Sequence, residues 1–156
     1  MNMIQILPII SWEDIVRQSF FEKLENIEWQ AIFFSLVKSK QGQSLSVIQA
    51  LFAIRQYGFF LFLIQKYPYA RMVPNQEIDA VLHAHIANIH QFEKDCQNLF
   101  TVGLKHVPEF GVRGEAERLE WQLAFAQTQE LFELNFGHGT MGSSAAACCE
   151  ILLSCI

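Results

Sequence analysis

The chain has 156 residues and a mass of 18.0 kDa, a single-domain length that buries about two-thirds of the surface an unfolded chain exposes. Its content of 51% hydrophobic and 17% charged residues excludes a disordered chain. A net charge of −5 and a pI near 5.5 exclude nucleic acid as the main partner, because phosphate binding requires a basic face.

The N-terminal stretch Met1 to Ile10 is apolar but lacks a basic segment and a small-residue cleavage site, and Trp12-Glu13-Asp14 follows at once. It does not read as a signal peptide. Apolar residues at helical spacing predict helices over Trp12–Leu24 and Trp29–Val37, ended by the polar stretch from Lys38 to Gln43. Ser44 or Ser46 can cap the next helix, from about Val47 to Lys66. This helix is the most hydrophobic part of the chain, but Gln49, Arg55, Gln56 and Gln65 interrupt it. It therefore predicts a buried core helix and not a membrane span. The expectation is a soluble, cytoplasmic protein.

Pro68 and Pro74 bracket a turn, and Asn75 is a good cap for one long helix from Gln76 to Phe100. Gly103, Pro108, Gly111 and Gly114 mark a loop, and a last helix is expected from Glu115 to Asn135 with Gly137 as its stop. No stretch alternates with period two for long enough to predict a sheet. The expected fold is all-α: one domain of about five helices around an aromatic-rich core supplied by fourteen phenylalanines. Residues 1–137 form this helical domain, and 138–156 form a flexible tail rich in Gly, Ala and Cys.

Four of the five histidines fall between positions 83 and 106. On the predicted helix Gln76–Phe100, Ile78, Leu82, His85, Ile86, Ile89, Phe92, Cys96 and Leu99 share one apolar stripe, so His85 and Cys96 point inward. His83 lies about 200° from His85, on a face with Asp79, Ala87, His90 and Lys94. Neither His83 with His85 nor His83 with His90 can hold one ion on an intact helix, the latter pair being about 10 Å apart along the axis. Asp79 and His83 have the i, i+4 spacing of a carboxylate–imidazole pair. His106, on the loop beyond, can fold back to either face. The binding centre is thus Asp79, His83, His85, His90, Cys96 and His106. A divalent metal site would use His83 or His85 with His106 and a carboxylate or Cys96. The plainer reading of His85 is a core histidine whose ring nitrogens meet buried polar partners, and that of Cys96 a small buried hydrophobe. Neither a Gly-rich phosphate loop nor a nucleophile elbow nor a His-Glu-x-x-His helix is present, so no residue is assigned a catalytic role.

The elements Val73-Pro74, Ile78-Asp79, Leu82-His83-Ala84-His85-Ile86, Phe92, Asp95-Cys96, Phe100, His106-Val107-Pro108 and Phe110-Gly111 resemble the bacterial glycine-rich domain-containing protein-like family. The upstream Arg55-Gln56-Tyr57-Gly58-Phe59-Phe60-Leu61 and the later Phe125, Thr128, Leu131-Phe132 and Phe136-Gly137 extend the resemblance over roughly residues 45–137. The chain departs from the pattern at Leu82 (for tryptophan), Ile89 (threonine), Phe92 (tyrosine), Thr101 (glycine) and Lys105 (the first of a histidine pair). The resemblance implies a helical interaction module without an assigned activity.

Three of the four cysteines, Cys148, Cys149 and Cys155, lie in the tail behind a spacer of glycine, serine and alanine. The tail reads as a mobile terminus or as a short docked helix from Ala145 to Leu153, dispensable for folding beyond about His138. Leu153 stands where a prenylation motif needs cysteine. The first functional expectation is a non-catalytic binding module whose partner is another protein. The second is a precursor peptide with a folded leader and Cys148, Cys149 and Cys155 as targets of a modifying enzyme. The third is a metal-binding protein using His83 or His85 with His106.

Overall fold

The computed structural model describes residues 11–38 and 44–154. Six helices and one two-stranded sheet are present among them: α1 (Trp12–Leu24), α2 (Trp29–Val37), α3 (Val47–Lys66), α4 (Gln76–Ile86), α5 (Ile89–Phe100), β1 (Leu104–Pro108), α6 (Glu115–Phe136) and β2 (Cys149–Leu153). Local chemistry starts the helices where the sequence reading places them. Ser11 with Asp14 and Ser46 with Gln49 form capping boxes, each satisfying backbone N–H groups that a helix start leaves unpaired.

The mostly helical fold and the aromatic core are as expected. Helix α3 is the hub, with α1, α2, α4 and α6 packed around it. It is long and apolar enough to cross a membrane, and half of its apolar window is buried in the fold. Phe21 stacks on Phe62 with ring centroids 5.3 Å apart, and Phe59 stacks on Phe136 at 4.0 Å. The guanidinium of Arg17 lies 5.0 Å from the Phe136 ring centre, covering the edge of this cluster. Full burial of such a ring contributes about 1.5–3 kcal/mol, as for Phe62, and the half-buried Phe21, Phe59 and Phe136 add less while joining α1, α3 and α6.

Three expectations are corrected. The helix predicted over Gln76–Phe100 is two helices, broken at Ala87-Asn88. Asn88 leaves the helical region (φ −103°, ψ 84°), and its side chain accepts a hydrogen bond from the Gln91 N–H, so it caps α5. Short polar side chains compete for backbone in this way and favour caps over helix interiors. Ile89 consequently leaves the apolar stripe and is exposed.

The second correction is the sheet. β1 and β2 pair antiparallel, with His106 opposite Ile151 and Pro108 opposite Cys149. Five-residue strands more than forty residues apart offer too few positions for a period-two signal. The third is the form of the C-terminal segment, expected as a mobile terminus or a short docked helix from Ala145 to Leu153. Met141, Ala147, Cys149, Ile151 and Leu153 are all buried. The segment expected as a helix over Ala145–Leu153 is extended, and it runs antiparallel beside residues 72–76. The Gln76 N–H donates to the Ala145 carbonyl, the Ala147 N–H to the Pro74 carbonyl and the Ile151 N–H to the Met72 carbonyl. Alternating burial along β2 places Cys149, Ile151 and Leu153 on the inner face.

Candidate functional site

Asn75 organises the start of α4. Its side-chain oxygen accepts from the Ile78 N–H at 2.9 Å, while its amide donates to Gln56 at 2.9 Å and to the Met141 carbonyl at 2.7 Å. One buried side chain therefore caps α4, ties it to α3 and holds the returning C-terminal segment against both. Both amide hydrogens and the side-chain oxygen are engaged, as burial demands.

On α4, Asp79 and His83 are one turn apart and form the predicted pair, with His83 Nε2 3.3 Å from Asp79 Oδ1. The sheet brings two more groups to this face. Directly opposed residues of an antiparallel pair project to the same side. His106, opposite Ile151, and Cys149, two residues before it, are therefore diagonal neighbours facing α4. The result is a compact cluster in which ligand-type atoms of Asp79, His106 and Cys149 all lie within 4.8 Å of one another. The rings of His83 and His106 meet edge to face, with centroids 5.4 Å apart.

The cluster is electrostatically unfinished. Cys149 is buried, and its thiol donates to Asp79 Oδ1 at 3.4 Å. Burial first, and then the Asp79 charge, hold its pKa far above the ordinary thiol value, so it stays protonated. Burial also pushes His106 down, against the opposing pull of Asp79. The Nε2 atom of His106 is buried with no hydrogen-bond partner. Such an orphaned polar atom costs about 1–3 kcal/mol. A cation bound among these side chains would remove that cost and favour the thiolate over the thiol.

His85 belongs to a different site. Tyr57 Oη lies 2.8 Å from its Nδ1, Asp95 Oδ2 lies 2.7 Å from its Nε2, and Gln91 donates to the other Asp95 oxygen at 2.9 Å. Burial raises the Tyr57 pKa well above normal, so its hydroxyl keeps its proton and donates to Nδ1. Burial lowers His85 more than Asp95 raises it. The neutral ring therefore carries its proton on Nε2 and donates it to Asp95. With both nitrogens engaged, His85 cannot join His106 at a metal, which corrects that part of the expected ligand set.

The remaining sequence candidates separate from both sites. His90 is exposed on the first turn of α5. Cys96 is buried in the main core, its thiol pushed up to about 12 by burial. It behaves as the small hydrophobe the sequence suggests. Cys148 is exposed beside the buried Cys149, and Cys155 lies outside the described residues. Sequence reasoning treated Cys149 only as a modification target and gave Tyr57 and Gln91 no part in the polar centre. Cys149 reaches Asp79 only through the pairing of β2 with β1, which no spacing in the sequence signals. Tyr57 and Asp95 reach His85 only through tertiary packing. No family model, no curated protein and no solved structure matches this chain, so its function is read from the residues of these two sites alone.

Proposed function

We propose that the chain is a helical binding module that takes a divalent transition-metal ion of the zinc class at Asp79, His106 and Cys149, with His83 beside them. The observations that carry this reading are the convergence of a carboxylate, an imidazole and a thiol within 4.8 Å of one another, and the buried, unpartnered Nε2 of that imidazole. Mixed N, O and S donors suit zinc, and magnesium or calcium would prefer oxygen alone. Tetrahedral zinc with bonds of about 2.0–2.3 Å separates its ligand atoms by about 3.3–3.8 Å. Side-chain adjustments of about an ångström therefore suffice to close the cluster on an ion.

Metal binding would also fasten the returning C-terminal segment. Asp79 sits on α4, His106 on β1 and Cys149 on β2, so one ion would cross-link three elements distant in sequence. Binding free energy of this kind adds to folding free energy. The precursor reading fares less well, because a modifying enzyme would first have to pull Cys149 out of the fold.

The test is calorimetric titration of the metal-free protein with zinc, alongside thermal unfolding with and without zinc. One equivalent should bind and raise the melting temperature in the wild type. Cys149→Ser and His106→Ala should lose both effects, whereas Cys148→Ser should keep them. Absence of zinc uptake by the folded wild type would reject the reading.

A further inference from the structure

The four groups at the proposed metal differ sharply in what surrounds them. Cys149 is buried, and His106 is half-buried on β1. Asp79 and His83 instead line a cleft of about 900 Å³, with Ala80, Ala84 and Ala146 beside the polar Ser35 and Gln76. The His83 side chain retains 61% of its exposure, against 26% for Asp79. One side of the site is thus closed by protein and the other opens onto solvent through this cleft.

We propose that the bound metal has three protein ligands, Asp79, His106 and Cys149, and keeps its fourth coordination position open to this cleft, where water exchanges with a small anionic donor. This deepens the metal reading and rests on it. A structural zinc site is closed by four protein ligands, whereas three protein ligands and a solvent position mark a site that binds an exogenous group. Two anionic ligands, the Asp79 carboxylate and a Cys149 thiolate, balance a divalent ion. The site can then exchange water for one further anion without building up a large charge. His83, whose Nε2 lies 3.3 Å from Asp79 Oδ1 at the cleft edge, acts as a positioning residue: it orients the carboxylate and offers a polar contact to whatever occupies the open position.

Cobalt(II) in place of zinc reports coordination through its visible spectrum. The experiment titrates cobalt-loaded full-length protein with sodium azide as a monodentate anionic probe, and repeats the measurement in His83→Ala. The expected result is a saturable change of the cobalt spectrum on adding azide. In His83→Ala the cobalt spectrum should keep its band positions and azide should still bind. Cobalt affinity there should fall by about 10–100-fold, as for loss of a group that orients a ligand. A wild-type spectrum that azide leaves unchanged would overturn the open position. Altered bands in His83→Ala before any azide would overturn it too, by making His83 the fourth ligand of a closed site. Failure of the wild type to take up cobalt at all would reject the metal reading itself, so the two failures are distinguishable.

Discussion

His85 Nε2 lies 2.7 Å from Asp95 Oδ2, although ten residues separate them. On an unbroken helix those residues would stand about 15 Å apart along the axis. The turn at Ala87-Asn88 folds α5 back beside α4 and closes that gap. The polar core Tyr57–His85–Asp95–Gln91 therefore exists only because Asn88 interrupts the helix.

Removing the centre of this chain leaves Tyr57 and Asp95 buried without their shared partner. His85→Leu is expected to cost about 1–3 kcal/mol. His90→Leu, at an exposed position, should change stability by less than about 0.5 kcal/mol. Urea unfolding of the two variants checks this, and equal midpoint shifts would contradict the burial of His85.

The same histidine predicts a pH dependence. Burial holds the His85 pKa below its ordinary value of 6.5 in the folded state. On acidification the unfolded chain takes up this proton first, so stability rises with pH in that range. The contribution is fully present above about pH 6.5 and is lost as pH falls toward the lowered folded value. Denaturant unfolding between pH 5 and 8 should show this loss, and His85→Gln should flatten the curve. An unchanged slope in the variant would assign the effect elsewhere.

The C-terminal segment should be needed for folding. A chain ending at Gly137 loses the buried Met141, Ile151 and Leu153, the pairing partner of β1, the Ala147 carbonyl that accepts from Trp121 Nε1, and the Met141 carbonyl that accepts from Asn75. Ile151→Ala alone should cost about 2–5 kcal/mol. Thermal unfolding compares the three proteins, and a truncated chain that melts with the full-length protein would show the packed segment to be energetically idle.

Thr101 ends α5 at φ 62°, in the left-handed region. A β-branched residue is strained there by about 1–2 kcal/mol, and glycine is not. Thr101→Gly should therefore stabilise the fold by about 1 kcal/mol, less the weak contact its hydroxyl makes with the Phe100 carbonyl. Differential scanning calorimetry would register this as a raised melting temperature, and a lowered one would refute the strain.

Most helix positions, the Ser46 and Asn75 caps, the aromatic core and the inward direction of His85 and Cys96 were legible in the chain. They depend on neighbours three or four residues away, through helical periodicity and local hydrogen bonds. The Asp79–His83 pair was legible for the same reason. The break at Asn88 was not, because an asparagine inside an otherwise regular apolar pattern caps a new helix only when the packing rewards the bend. The sheet, the contact of Cys149 with Asp79 and the ring-to-ring approach of His83 and His106 were decided by tertiary structure alone. Each joins segments separated by more than twenty residues, and such contacts depend on how α4, β1 and β2 pack together, which no local spacing in the chain encodes.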